Sequence, residues 1–317
     1  MRLRDRFPAF CSFSSAVLCG CLGLLSCQGC GALGQRSAVH LMGFVAETGM
    51  PAYLRETDLE LAAQALAASV KLTEALLETA PDDTRLLLQA VQGLAGYTYA
   101  FVEVRIEAVR GRDAEQVKIH TQRAQRLYQR GLQYGLRLLS QYAPPLLQAT
   151  ALPLETLQTQ LRQLDRQAVS ALFWTSFCWG GWLNLERTAL ETGMALPLLQ
   201  AMLTQLLALD ETYFDGLPHL LQAVRYASFS AALGGDPTQA QHHFMRAHAL
   251  SQGRLLLVPL LEAQYYAVQR QDRLLFAQRL QDVLDAPETL APEHGLLNAV
   301  AKYRAALLLR RIDELFL

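Results

Sequence analysis

The sequence predicts an all-α chain in which degenerate helical hairpins stack in one domain and a terminal helix closes the stack. Three observations carry that prediction. The 317 residues are 51% hydrophobic, and Leu, Ala and Gln, all good helix formers, dominate. Beyond the N-terminus no segment alternates at period two with β-branched residues, as a half-buried strand would. Residues 218–250, PHLLQAVRYASFSAALGGDPTQAQHHFMRAHAL, read as two helices joined by a turn. In that turn Gly234-Gly235 stops the first helix, Asp236 offers an N-cap oxygen, and Pro237 sits at the first helical position, where a missing N–H costs nothing.

That hairpin is the pattern for the rest. Its second helix carries Ala240, Phe244 and Ala247, an Ala-x3-Phe-x2-Ala spacing that marks the second helix of a tetratricopeptide unit. Small alanines admit a close helix crossing, and the phenylalanine fills the space between. Ser228 falls where such a unit has its small glycine.

In chain order, 54–79 is an amphipathic helix ended by Ala80-Pro81-Asp82-Asp83. Asp83 or Thr84 caps a second helix that runs to about Arg110, with Gly96 and Tyr99 at the small and aromatic positions. Gly111-Arg112-Asp113 turns the chain. Helix 114–141 repeats the hairpin spacing with Ala124, Tyr128 and Gly131. Ala143-Pro144-Pro145 ends it, 145–153 is a linker, and 154–164 is a short helix. Residues 168–188 form a buried helix containing FWTSFCWGGWLNLERT. Thr192-Gly193-Met194 predicts a turn, with Pro197 opening a helix to about Leu209. A loop over 210–216 leads into the central hairpin. Helices 255–269 and 272–284 follow, ended by Ala286-Pro287, and 292–316 closes the chain. A terminal helix of this kind covers the last face of a repeat stack.

The N-terminus reads as an address and an anchor. Arg2, Arg4 and Arg6 precede a charge-free run over 7–35, the order of a secretory signal. Leu24-Leu25-Ser26-Cys27 resembles a bacterial lipobox, whose cysteine is acylated and becomes the mature N-terminus. The expected organisation is therefore a signal peptide over 1–26, a lipidated tether over 27–45 and the helical domain over 46–317. The competing reading of the run is an uncleaved transmembrane helix. Cys11, Cys19, Cys21, Cys27 and Cys30 crowd this region, leaving Cys178 alone in the body of the chain. That distribution is no disulfide framework, and a membrane-bound apolar run makes a poor metal site.

Composition excludes several functions. A net charge of −1 leaves no basic footprint for nucleic acid. No catalytic, phosphate-binding or metal-ligand motif is present, so an enzyme, a cofactor and a metal are not expected. His242, His243 and His248 share a helix, but no two of them have i,i+4 spacing, and they read as a polar face. Cys178 reads as a small core residue. Two aromatic helices remain. The first carries Tyr97, Tyr99 and Phe101, with Glu103 four residues after Tyr99 and on its face. The second carries Trp174, Trp179 and Trp182 beside Asn184, Glu186 and Arg187. Gly180-Gly181 inside that helix costs about 1 kcal/mol per glycine relative to alanine, so something should approach it closely. Either these aromatics pack a tight helix crossing, or they line a cleft with a few polar groups. The candidates for ligand or pore lining are Tyr97, Tyr99, Glu103, Trp174, Trp179, Trp182 and Tyr265, with Tyr266 beside the last. Cys27 is the candidate for lipidation.

Several stretches together resemble a known family: GLAGYTYAFVE at 93–103, FWTSFCWGGWLNLER at 173–187, LGGDPTQAQHHFMRAHALSQG at 233–253 and the terminal AKYRAALLLRRIDELF. They are similar to the TatT lipoproteins, the tetratricopeptide T components of tripartite ATP-independent periplasmic (TRAP) transporters, best known from spirochaetes. The resemblance implies a helical protomer assembled as a homotrimer, each protomer with its own pore. It implies attachment to either membrane through a palmitate-type anchor. It also implies a partner, the periplasmic solute-binding (P) subunit, to which a hydrophobic or organic-acid ligand is delivered. It supplies no catalytic residue. The alternative function is a structural adaptor of the envelope whose aromatics are only core.

Overall fold

In the computed structural model, residues 49–185 and 190–316 are described, and among them every regular element is helical. A short helix α1 (49–55) leads to α2 (Leu59–Thr79). The helix expected over 54–79 is thus divided. Asp58 accepts hydrogen bonds from the backbone N–H of Glu60 and Leu61, and this N-cap restarts the helix. Next come α3 (Thr84–Tyr97), capped by Asp83, a π-helical turn (Thr98–Glu103) and α4 (Val104–Val109). Helix α5 (Ala114–Ser140) is followed by the short α6 (Leu154–Leu161), α7 (Val169–Leu185) and α8 (Leu190–Asp210). Then come α9 (Tyr213–Ser228) and α10 (Pro237–Ser251).

Helices α3, α5 and α7 pack in succession, with α2 on α3 and α8 on α7. Small residues set these spacings. A Cβ on Gly131 would lie 2.6 Å from the Cys178 sulfur, and one on Gly181 2.7 Å from the Tyr128 ring. Cys178 is therefore a buried packing residue, and burial pushes its thiol pKa far up. The central hairpin, α9 against α10, forms as expected at its second helix, but the first helix ends at Ser228 rather than at Gly234-Gly235: Phe229 is extended, and a short 3-10 turn (Ala231–Leu233) leads to left-handed Gly234. Asp236 caps α10 through the N–H groups of Thr238 and Gln239, and Ala240, Phe244 and Ala247 are buried.

Helix α8 corrects the reading of residues 192–197. It runs through the expected turn and holds Pro197 in its interior. The missing N–H and the ring's clash with the carbonyl four residues back cost about 3 kcal/mol. Burial of Leu196, Leu199, Met202, Leu203 and Leu206 against the neighbouring helices outweighs that local preference.

The last third is one folded-back pair. Helix α11 (Leu257–Leu261) passes through a second π-helical turn (Glu262–Ala267) into α12 (Val268–Arg270), and α13 (Arg273–Asp285) returns beside it. Helix α14 (Gly295–Leu309) packs on α13 and α11 and also reaches α2 and α4, before α15 (Ile312–Leu315) ends the chain. The terminal helix thus joins the end of the array to its beginning.

Candidate functional site

Both π turns interrupt helices that the sequence reads as continuous. In the first, Thr98 back-bonds to the Leu94 carbonyl at 2.6 Å, competing with the regular ladder. Such turns add a residue to the circuit and re-aim the side chains they carry, which is why they recur at functional sites. Here they carry Tyr99 and Glu103 on one side and Gln264 and Tyr265 on the other.

A charged cluster ties the two together. Arg304 on α14 is fully buried, and its guanidinium donates to Glu107 at 2.5 and 3.1 Å and to Glu103 at 3.4 Å. Its charged carbon lies 4.3 Å from the centre of the Tyr99 ring, a cation–π contact. Gln264 accepts from Arg304 and donates to Glu107. The Tyr128 hydroxyl donates to Glu103 at 2.5 Å, and Asn184 donates to the Tyr265 hydroxyl at 2.7 Å. Desolvation pushes the Glu103 carboxyl above its ordinary range, and Arg304 opposes that rise. Burial likewise raises the Tyr99 and Tyr128 phenols, which stay protonated donors near neutral pH.

Three cavities lie in a row beside this cluster and share walls. The first, about 150 Å³, is bounded mainly by apolar side chains of α1, α7, α9, α11 and α14, among them Leu54, Phe173, Trp174, Leu220, Leu257 and Leu296. Tyr99, Phe177, Leu221 and Leu261 separate it from a neck of about 80 Å³. Glu103, Asn184, Ser228, Phe229 and Tyr265 border both the neck and a vestibule of about 760 Å³, where Glu107, Arg110 and Arg311 also sit. The row therefore grades from apolar to charged.

One end of the first cavity is held by a left-handed segment. Phe214, Asp215 and Gly216 have φ of 46°, 57° and 90°, which is strained for the first two. Asp215 anchors them by accepting from His294 at 2.7 Å and Arg254 at 3.1 Å. This strained segment occupies the expected 210–216 loop.

The sequence candidates separate accordingly. Tyr99, Glu103 and Tyr265 meet at the neck, and Trp174 joins Tyr99 at the first cavity. Trp179 is only 1% exposed; with Trp182 it borders a separate outer groove beside Leu154, Met194 and Pro197. Tyr97 borders none of these cavities; its hydroxyl accepts from Arg123 at 3.1 Å and its ring meets Phe101. Gly180 and Gly181 both border the neck, and Gly181 also serves the crossing with Tyr128. Tyr266 packs on Phe244. Glu186 and Arg187, and the lipidation candidate Cys27 with the signal and tether around it, lie outside the described residues. Sequence reasoning missed Arg304, Glu107 and Gln264. The available signal was a charge inside an apolar run, AKYRAALLL, and a second carboxylate one turn after Glu103.

A family model described as TRAP transporter T-component matches residues 55–316. No curated protein matches the chain.

Proposed function

Because the chain belongs to the TRAP transporter T-component family, we propose that it binds the transporter's solute-binding subunit and passes a small, largely apolar ligand through its row of cavities. The observation that carries this reading is the graded row itself: an apolar chamber, a neck at Tyr99, Phe177 and Tyr265, and a charged vestibule. A stack of helical hairpins also offers the extended surface that a protein partner needs. The role is non-enzymatic. The protein works at the cell envelope, on the periplasmic side, as a homotrimer tethered by acyl chains on Cys27. Each buried CH₂ of such chains contributes about 0.8 kcal/mol, so two or more chains hold the protein at a membrane.

Co-purification tests the first part: the mature protein should elute with a TRAP solute-binding subunit. Absence of a complex at high micromolar concentration rejects that partner. Leu221→Trp, which fills the neck, should leave the complex intact and slow exchange of a bound apolar probe at least tenfold. Unchanged exchange would reject passage and favour a purely structural adaptor. For the anchor, Cys27→Ala should abolish incorporation of labelled palmitate, and persistent labelling would refute it.

A further inference from the structure

Helix α1 covers the first cavity without being packed into the body of the molecule. It spans seven residues, too few to hold a helix by themselves in water. Met50, Tyr53 and Leu54 stand at i, i+3 and i+4, so one face carries all three. All three border the 150 Å³ chamber. Pro51, Ala52 and Arg55, on the other side, are exposed. No residue of α1 is buried, whereas Phe173, Leu220, Leu257 and Leu296 on the chamber's other walls are. Nor do its three apolar side chains join the hydrophobic core, which does take in Leu59 and Leu66 of α2. Its side-chain hydrogen bonds are local: Arg55 donates to the Pro51 carbonyl, and Glu56 accepts from the Asp58 N–H. Among the described residues, none joins 49–57 to another helix. The base of α1 is fixed by close approach instead. A Cβ added to Gly295, at the start of α14, would lie 2.9 Å from the Arg55 carbonyl oxygen and 3.3 Å from the Thr57 methyl. Beside it, Phe214 meets the His294 ring and also borders the chamber, but that segment is bonded in place through Asp215. Of these two covers, only α1 rests on apolar contact alone.

We propose that α1 is a lid which swings about residues 55–57 and admits small apolar ligands to the chamber. The inference rests on the passage reading and names the entrance for it. Opening separates three partly buried side chains and breaks no bond to another helix, so it belongs to the low-energy end of local motions. The hinge is the short stretch between α1 and the Asp58 cap, where few residues absorb the change. Closure lays a thioether, a phenol ring and an isobutyl group over the ligand, which removes its apolar surface from water. The volume suits a ligand near the size of one benzene ring, since an apolar cavity of about 150 Å³ takes up benzene. The far end of the row carries Glu107, Arg110 and Arg311, so α1 gives the row its apolar entrance.

Fluorobenzene, followed by fluorine NMR line shape on the intact protein, tests this. M50A/L54A loosens the lid and should spare the fold, because neither residue is buried. Association and dissociation rates should both rise about tenfold, a modest effect for several partly buried methylenes. A fixed wall would give faster dissociation at an unchanged association rate, and that result overturns the lid. Hydrogen exchange in the wild type gives a second reading that needs no variant. The amides of 49–57 should exchange at least about a hundredfold faster than those of α7, and saturating fluorobenzene should slow them. Exchange as slow as in α7, or unaltered by fluorobenzene, overturns the inference. Both rates unchanged in the variant also overturn it and leave passage standing through another opening. Binding of fluorobenzene by neither protein overturns it and counts against passage as well.

Discussion

Gly235 shows how little room one position can leave. An added Cβ would stand 1.8 Å from the Phe229 carbonyl oxygen, far inside any tolerable contact. The chain returns so closely because the N–H groups of Gly234, Gly235 and Asp236 bond to the carbonyls of Ala231, Ser230 and Tyr226. Gly235→Ala should therefore destabilise the protein by about 3 kcal/mol, the upper range for overpacking. Chemical denaturation would show it as a lower midpoint at unchanged slope. An unaltered midpoint would mean that the turn can open without cost. Gly253, where an added Cβ meets nothing within 4 Å, tests space less directly because its φ of 72° already disfavours a side chain.

The hairpin of α9 and α10 carries a titration as well as packing. His219 and His243 share a hydrogen bond of 2.8 Å between their Nδ1 atoms, so one must donate and the other accept. The second nitrogen of His219 donates to Glu211 at 2.9 Å, and Arg246 holds that carboxylate ionised, with its pKa lowered to about 2. Tyr226 stacks on His243, and His242 lies edge-on to it. Burial first, then the neighbouring histidines, lowers His243 from 6.5 to about 4, and burial lowers His219 too. The folded state thus binds fewer protons than the unfolded chain between these values. Stability should be full above pH 6.5 and fall as pH drops through 6.5 towards about 4. Thermal melts of H243Q across that range should show a shallower decline than the wild type. An identical pH profile would remove the pair from the explanation.

At the scale of the whole molecule, Arg304 carries the closure. It lies on α14 and bonds to Glu107 on α4, almost two hundred residues earlier in the chain, without exposure to solvent. Breaking a buried pair by removing one partner typically costs about 3–5 kcal/mol, because the other charge stays buried and unpaired. Arg304→Met should show that loss in denaturant, and R304M/E107M should recover a large part of it. If the single variant is as stable as the wild type, the cluster does not hold the ends together. Loss of the pair should also loosen the neck, since Glu103 and Tyr99 both lean on the same guanidinium.

Local rules determined the helical class, the cap at Asp236, the cap at Asp83 or its neighbour Thr84, the turn at Gly111-Arg112-Asp113, and the core triplet Ala240, Phe244 and Ala247. Those signals act over one or two turns, so a single stretch of sequence carries them. The family was legible too, because its motifs span most of the chain. Of the site, Tyr99, Glu103, Trp174 and Tyr265 could be picked out as polar or aromatic residues in helices, but their grouping could not. Trp174 and Trp179 sit on one helix, yet one borders the chamber and the other fills the core. Only tertiary packing decided that, along with the run of α8 through Pro197, the two π turns and the meeting of Arg304 with Glu107. Each of these is a balance between a local preference and burial against residues distant in sequence, and the second term is set by the fold as a whole.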